Sequence, residues 1–180
     1  MVSTGMDVPD IVLKIWDKYS LPENVRRHCL KVAEVALKIA NKLKDKYDID
    51  FEALKLGALL HDIGRAITHG IEHFVYTGEI LRKEGFDEKV VRIAERHFLC
   101  GITKEEAKNL GINVERDFMP ETIEEKIVCM ADNLVKGDRE VTFDEFMKRL
   151  EELKKKYPET AWFTERTIER ALKLKEELKL

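Results

Sequence analysis

Glutamine is absent from this chain of 180 residues, proline occurs four times and cysteine three times. The cysteines, Cys29, Cys100 and Cys129, stand far apart with no Cys-x-x-Cys pair, which argues against a disulfide framework and against a zinc ribbon. Buried thiols in a reducing cytosol are expected instead. No apolar run reaches the roughly 18 residues that a membrane span requires, and residues 1–9 lack the basic and apolar regions of a signal peptide. A cytoplasmic protein with no membrane partner is the expectation. Positive charge is not in excess: 32 basic residues face 35 acidic ones, a net charge of −3. Bulk nucleic-acid binding therefore has no compositional support. Missing glutamine, with lysine and glutamate dominating the charges, fits a thermophilic source.

What is present is helical periodicity. The hydrophobic fraction is 44% and the charged fraction 37%, the balance of one folded domain with a heavily charged surface. Helices are predicted at about 7–19, 23–46, 50–62, 69–84, 87–99, 121–136, 142–156 and 160–179. The second carries a clean stripe of Val25, Cys29, Val32, Val35, Ala36, Ile39 and Leu43 at i, i+3, i+4 spacing. Gly64 reads as a left-handed C-cap of the third helix, Thr103 to Glu106 as a capping box, and Gly137 as the end of the 121–136 helix. Residues 112–120 read as an irregular loop closed by Pro120. With no strand pattern longer than a few residues, the fold class expected is all-α, a single-domain helical bundle. Its parts are an N-terminal helix (1–19) packing on the core, a core (20–137), and a C-terminal helical extension of the same domain (138–180). Trp162, Phe163 and the last apolar face serve that core or an interface, so a homodimer stays open.

All five histidines fall between residues 28 and 97. His28 sits at the edge of the second helix's stripe. His61-Asp62 ends the third helix against the core, and Asp132 borders the buried face of the 121–136 helix between Val128 and Val135. Each alone has an ordinary explanation: a core histidine bonded to a carbonyl, or an exposed acid. Together, on three inward faces, they make a two-nitrogen, two-oxygen set suited to a divalent transition ion, with positions left for water and substrate oxygen.

The ordered pattern of His28 in Arg26-Arg27-His28-Cys29, then His61-Asp62-Ile63-Gly64-Arg65, then Ala131-Asp132 resembles the HD-domain superfamily of metal-dependent phosphohydrolases. The resemblance spans about residues 20–137 and is strongest to small stand-alone archaeal HDIG proteins. It implies an all-α bundle and a metal held by His28, His61, Asp62 and Asp132. His73 and His97 would add a second ion, with Asp62 bridging, or would line the cleft as substrate contacts. His69 is a cleft wall or, more simply, a solvated loop residue. The cofactor implied is one or two ions of Mn, Fe, Co, Ni or Zn, or else Mg. The partner implied is a small phosphorylated, nucleotide-like substrate. A metal-activated water would attack a phosphomonoester or phosphodiester. Asp62 and His97 are candidates for the accompanying proton transfers, and Arg65 for holding phosphate charge. Arg96, Lys136 and Arg139 are further cations near ligand-bearing segments. Superfamily nucleotidases often carry an acid three residues past the HD aspartate. Arg65 stands there, which counts against that branch, and the GYP signature of cyclic dinucleotide phosphodiesterases is absent. Two alternatives remain: a di-iron oxygenase using His73 and His97, and a non-catalytic nucleotide-binding module.

Overall fold

A computed structural model describes residues 6–180; the expectations for Met1 to Gly5, including the start of the segment without a signal peptide, lie outside these residues. The helices in chain order are α1 (Asp10–Lys18), α2 (Glu23–Leu43), α3 (Phe51–Leu60), α4 (His73–Lys83), α5 (Glu88–Glu95), α6 (Lys104–Asn109), α7 (Ile123–Asn133), α8 (Phe143–Lys156) and α9 (Ala161–Glu177). Helix α2 lies at the centre and packs on α3 and α7, while α3 and α4 both pack on α5. The α2 stripe is buried throughout, with Cys29, Val32 and Ala36 fully inaccessible. All three cysteine thiols are free and buried. No described helix is long and apolar enough to cross a membrane.

The boundaries differ from the periodic reading where the backbone is asked to turn. Helix α7 stops at Asn133, and the residues expected to extend it form a two-stranded antiparallel hairpin, β1 (Val135–Lys136) with β2 (Arg139–Glu140). Gly137 is the tip of this hairpin, at φ +65°, a conformation glycine adopts without steric cost. Likewise α5 stops at Glu95, short of the predicted 99: Arg96 leaves helical geometry at φ −102° and ψ 44°, and Leu99 further on takes a left-handed φ of 48°. The loop 112–120 is anchored rather than free: Ile102 and Phe118 exchange backbone hydrogen bonds of 3.2 and 2.8 Å. Val114 and Phe118 sit with Phe74, Ile112 and Phe163 in a second apolar cluster. The capping box at Thr103 and Glu106 forms with both hydrogen bonds present.

Two further sets of contacts tie the ends of the chain to the core. The Trp16 indole N–H donates to the Leu59 carbonyl at 3.1 Å, satisfying one of the acceptors left over at the end of α3. At the other end of the chain, α8 and α9 pair with each other and contribute Phe146, Leu150, Ala171 and Leu174 to the main core. Arg166 and Arg170 on α9 reach the buried Glu106 carboxylate at 3.0 and 2.8 Å. Burial opposes the charge of Glu106, but these guanidinium groups and the Thr103 N–H outweigh it and pull its pKa down to about 2.

Glu106→Ala is expected to lower stability by about 1–3 kcal/mol, since it strands two arginines and removes one of the two hydrogen bonds of the α6 capping box. Thermal denaturation followed by circular dichroism checks this. The sign with pH follows from the depressed pKa: the contribution is complete above about 4.5 and is lost as pH falls toward about 2.

Candidate metal centre

The chain reverses between α3 and α4 in a tight 3-10 turn, Ile63–Ala66. Gly64 lies inside that turn and is not a left-handed cap. Its role is contact: a Cβ there would run into the His73 carbonyl and the Thr77 backbone N–H. Thr77 locks the same junction, accepting from the Gly64 N–H at 2.9 Å and donating to the His61 carbonyl at 2.9 Å. The absence of a side chain thus brings the start of α4, and with it His73, against His61-Asp62.

Six side chains converge as a result. His28 comes from the first turns of α2, His61 and Asp62 from the end of α3, His73 from the first residue of α4, His97 from just past α5, and Asp132 from the last turn of α7. Asp62 divides its oxygens between two groups. Oδ2 lies 3.5 Å from His28 Nε2 and 3.6 Å from His61 Nε2. Oδ1 lies 3.2 Å from His73 Nε2 and 3.4 Å from His97 Nε2. Asp132 Oδ1 adds contacts of 2.9 Å to His28 and 3.2 Å to His61. The ligand atoms fall into three overlapping triads, each within 4.8 Å.

The outward nitrogen of every ring in this cluster is committed. Nδ1 donates to the Gly137 carbonyl in His28 (2.6 Å), to Ala58 in His61 (2.6 Å), to Gly70 in His73 (3.0 Å) and to Ala94 in His97 (2.7 Å). A carbonyl only accepts, so each Nδ1 carries its proton and each neutral ring presents an Nε2 lone pair inward. Four lone pairs and two carboxylates therefore share one buried space. His73 Nε2 and His97 Nε2 stand 3.2 Å apart, two lone pairs facing each other unless a proton or a cation lies between. Orientation of imidazole ligands by backbone carbonyls is how metal-binding histidines are held, and the donor set fits a divalent ion with mixed nitrogen and oxygen preference.

Charge leads to the same requirement. Burial disfavours ionised Asp62 and Asp132, yet the surrounding imidazoles, His61 foremost, hold both well below the usual carboxylate range. Burial also disfavours protonated His61, but Asp62 and Asp132 outweigh it and push its pKa well above 6.5; His28 is raised the same way by Asp132. In His97 burial wins and the pKa falls, which keeps its lone pair free and makes it a better ligand than proton donor. Without a metal, protons on His28 and His61 supply the positive charge that the buried carboxylates need.

The cluster opens into a cavity of about 390 Å³ whose walls include Arg65, His69, Phe98, Leu99, Lys136 and Arg149. Arg65 Nε lies 3.2 Å from Asp62 Oδ2. His69, exposed on its loop, stands at the mouth and outside the six-residue cluster. Arg96 turns away to the buried Glu125 carboxylate at 2.8 Å, and Arg139 lines a neighbouring groove. Two residues escaped the sequence reading. Asn133 donates from Nδ2 to the Leu99 carbonyl at 2.6 Å and so holds the left-handed residue two positions after His97. Arg149 reaches the cavity from α8; its only sequence signal is a place beside the inward Phe146 and Leu150. A larger hollow of about 940 Å³ beside α6 is lined by Lys104, Glu105, Lys108 and Asp117, but no histidine or cysteine reaches it.

The sequence model of the HD domain family matches residues 25–137. An uncharacterized protein of Methanocaldococcus jannaschii is 54% identical over 138 residues, 76% of this chain and 81% of that protein. A tRNA (cytidine(56)-2'-O)-methyltransferase of Picrophilus torridus is 45% identical over 129 residues, 72% of this chain but 38% of that longer protein. Among solved structures, the HD domain of the L. monocytogenes phosphodiesterase PgpH in complex with cyclic-di-AMP is similar at TM-score 0.54 and 19% identity. The match covers 92% of this chain and 93% of that one. At that identity the likeness is one of fold.

Asp62→Asn is expected to abolish stoichiometric divalent-metal uptake, measured by elemental analysis, while helical circular dichroism persists. If the site is binuclear, combined His73→Ala and His97→Ala should lower the count from two ions to one, and an unchanged count would exclude a second ion on these residues. Since His28 and His61 must lose protons to bind metal, affinity should fall as pH drops below their raised pKa values. Calorimetry in buffers of different ionisation enthalpy should register about one to two protons released per ion.

Proposed function

The chain belongs to the HD domain family, and from that premise we propose that it is a metal-dependent phosphohydrolase acting on a phosphate ester of a nucleotide-like molecule. The observation that carries this reading is the split of Asp62: one oxygen faces His28 and His61, the other His73 and His97. A buried carboxylate placed so between two sets of lone pairs suits a bridge between two cations. His28, His61, Asp62 and Asp132 would hold one ion, and Asp62, His73 and His97 the other.

An ion bound there supplies Lewis acidity, lowering the pKa of water and polarising a phosphoryl oxygen. The protein's own groups do the rest. Arg65, half exposed and fixed by Asp62, offers its remaining guanidinium donors toward an incoming phosphate. Phe98 and Leu99 form an apolar wall that limits water on one side of the cavity. The four carbonyls on Nδ1 hold the imidazoles in one tautomer and one orientation, so little reorganisation accompanies reaction. His69 stands exposed at the cavity wall, outside the cluster. A diester with nucleotide character is the ester class we favour, in keeping with the similarly folded phosphodiesterase PgpH HD domain, which was solved in complex with cyclic-di-AMP. The cations Arg65, Lys136 and Arg149 around the cavity favour phosphate chemistry over an oxygenase using the same ligands.

The test is a panel of phosphate esters with Mn, Co, Ni, Fe, Zn and Mg in turn. It includes p-nitrophenyl phosphate, bis(p-nitrophenyl) phosphate and cyclic dinucleotides, with an oxygen electrode in parallel. Metal-dependent hydrolysis of the diesters, stopped by EDTA and lowered about tenfold or more by Arg65→Ala, is the expected result. Oxygen uptake without ester cleavage would favour the di-iron oxygenase. Nucleotide binding without turnover under any metal would favour a regulatory module.

A further inference from the structure

The arginines of this chain are almost all spoken for. Arg26, Arg27, Arg65, Arg82, Arg92, Arg96, Arg116, Arg139, Arg166 and Arg170 each have a carboxylate oxygen within 4.0 Å. Among the described residues, Arg149 alone has none. It is half-buried, its ring neighbour is Phe146 at 5.5 Å, and its one hydrogen bond is a long 3.4 Å donation to the Asn133 carbonyl. Acids are not lacking nearby. Glu145 and Glu152 lie four residues before and three after it on α8, the spacings at which helical charges ordinarily pair. Arg149 pairs with neither, and it lines the cavity of the metal centre.

Lys136, exposed at the start of the hairpin, is likewise without a carboxylate partner among the described residues. Lys136 and Arg149 line the metal cavity and also a second groove of about 190 Å³, whose other walls include Arg139, Val141 and Lys148. That groove has four cationic side chains against two acidic ones, Glu145 and Glu152, in a chain whose net charge is −3. Glu145 is itself turned to Arg139 at 3.7 Å. Two cations without a carboxylate partner thus belong both to the metal cavity and to this positively charged groove. An unpaired guanidinium fork is shaped for a phosphate and costs little to desolvate against one.

We propose that Lys136 and Arg149 form a second phosphate subsite, so that the preferred ligand carries one further phosphate beyond the one at the metals: a phosphorylated dinucleotide rather than a simple ester. The subsite rests on the phosphohydrolase reading for the position of the first phosphate. Both residues act in recognition, and Arg149 sets specificity from a helix outside the stretch that matches the HD family.

The test uses the full-length, metal-loaded protein and calorimetry with slowly cleaved phosphorothioate-linked ApA, pApA and ApAp. One of the two phosphorylated forms should bind about tenfold tighter than ApA, and which one does so tells the strand direction. In R149Q the ratio should fall toward one, in R149K it should fall part of the way, and K136Q should lower it as well. An undiminished ratio in R149Q, or no discrimination in the unaltered protein, overturns the subsite. Should R149Q fail to fold, judged by circular dichroism, R149K and K136Q decide by the same ratio. The two readings fail separately. Discrimination among ligands whose native linkages are never cut removes the hydrolase and keeps the subsite. Cleavage without discrimination does the reverse.

Discussion

A carboxylate is buried where four imidazoles surround it, and the rest of the molecule is arranged to make that tolerable. Asp62 is almost inaccessible, and an isolated ionised carboxylate in such a place would cost many kcal/mol. It is tolerated because positive charge is always within reach: protons on His61 and His28, the guanidinium of Arg65, or a metal. The geometry that delivers this charge has several separate origins. Gly64 removes a Cβ so that α4 can close in, Thr77 ties the two segments, and Trp16 steadies the end of α3. Neutralising one buried group draws on α1 to α4 together.

The segment carrying His97 shows how the surroundings hold a ligand without touching it. Glu95, fully buried, is gripped by Arg82 at 2.8 Å and Arg116 at 2.8 Å. Arg96 is held by Glu125. Leu99 then adopts a backbone conformation that costs a non-glycine residue about 1–3 kcal/mol, secured by Asn133. Two anchored charged residues before it and a left-handed residue two positions after it leave the His97 ring little freedom. Buried ion pairs are weak contributors to stability as such; here their effect is better described as fixing direction.

Much of this was readable in the chain. The period of 3.6 in α2, the His-Asp pair at the end of an apolar run and the position of Asp132 beside Val128 and Val135 all translate directly into inward-facing groups, because a helix converts spacing into direction. The capping box at Thr103 was readable for the same reason. What was not readable depended on through-space geometry. Gly64 looked like a cap because a glycine after a helix commonly is one, and only the approach of the His73 carbonyl reveals its use. The α7 pattern ran on into Val135 and Lys136 because a two-residue strand has no period to betray it. Arg149 and Asn133 are ordinary helical residues by sequence, and their importance lies in what they face or fail to face.

The hairpin ties these observations together. The carbonyl that orients His28 belongs to Gly137, at its tip, 109 positions along the chain from the ring it holds. Every side chain of the His/Asp cluster precedes that glycine, yet the acceptor that aims the earliest of them sits on a turn whose second strand leads into α8. Ligand inventory and working centre are therefore different lengths of chain. The stretch that contains all six groups ends before the acceptor that points His28 has been made, and during synthesis the cluster would be complete in composition before its first ring is aimed.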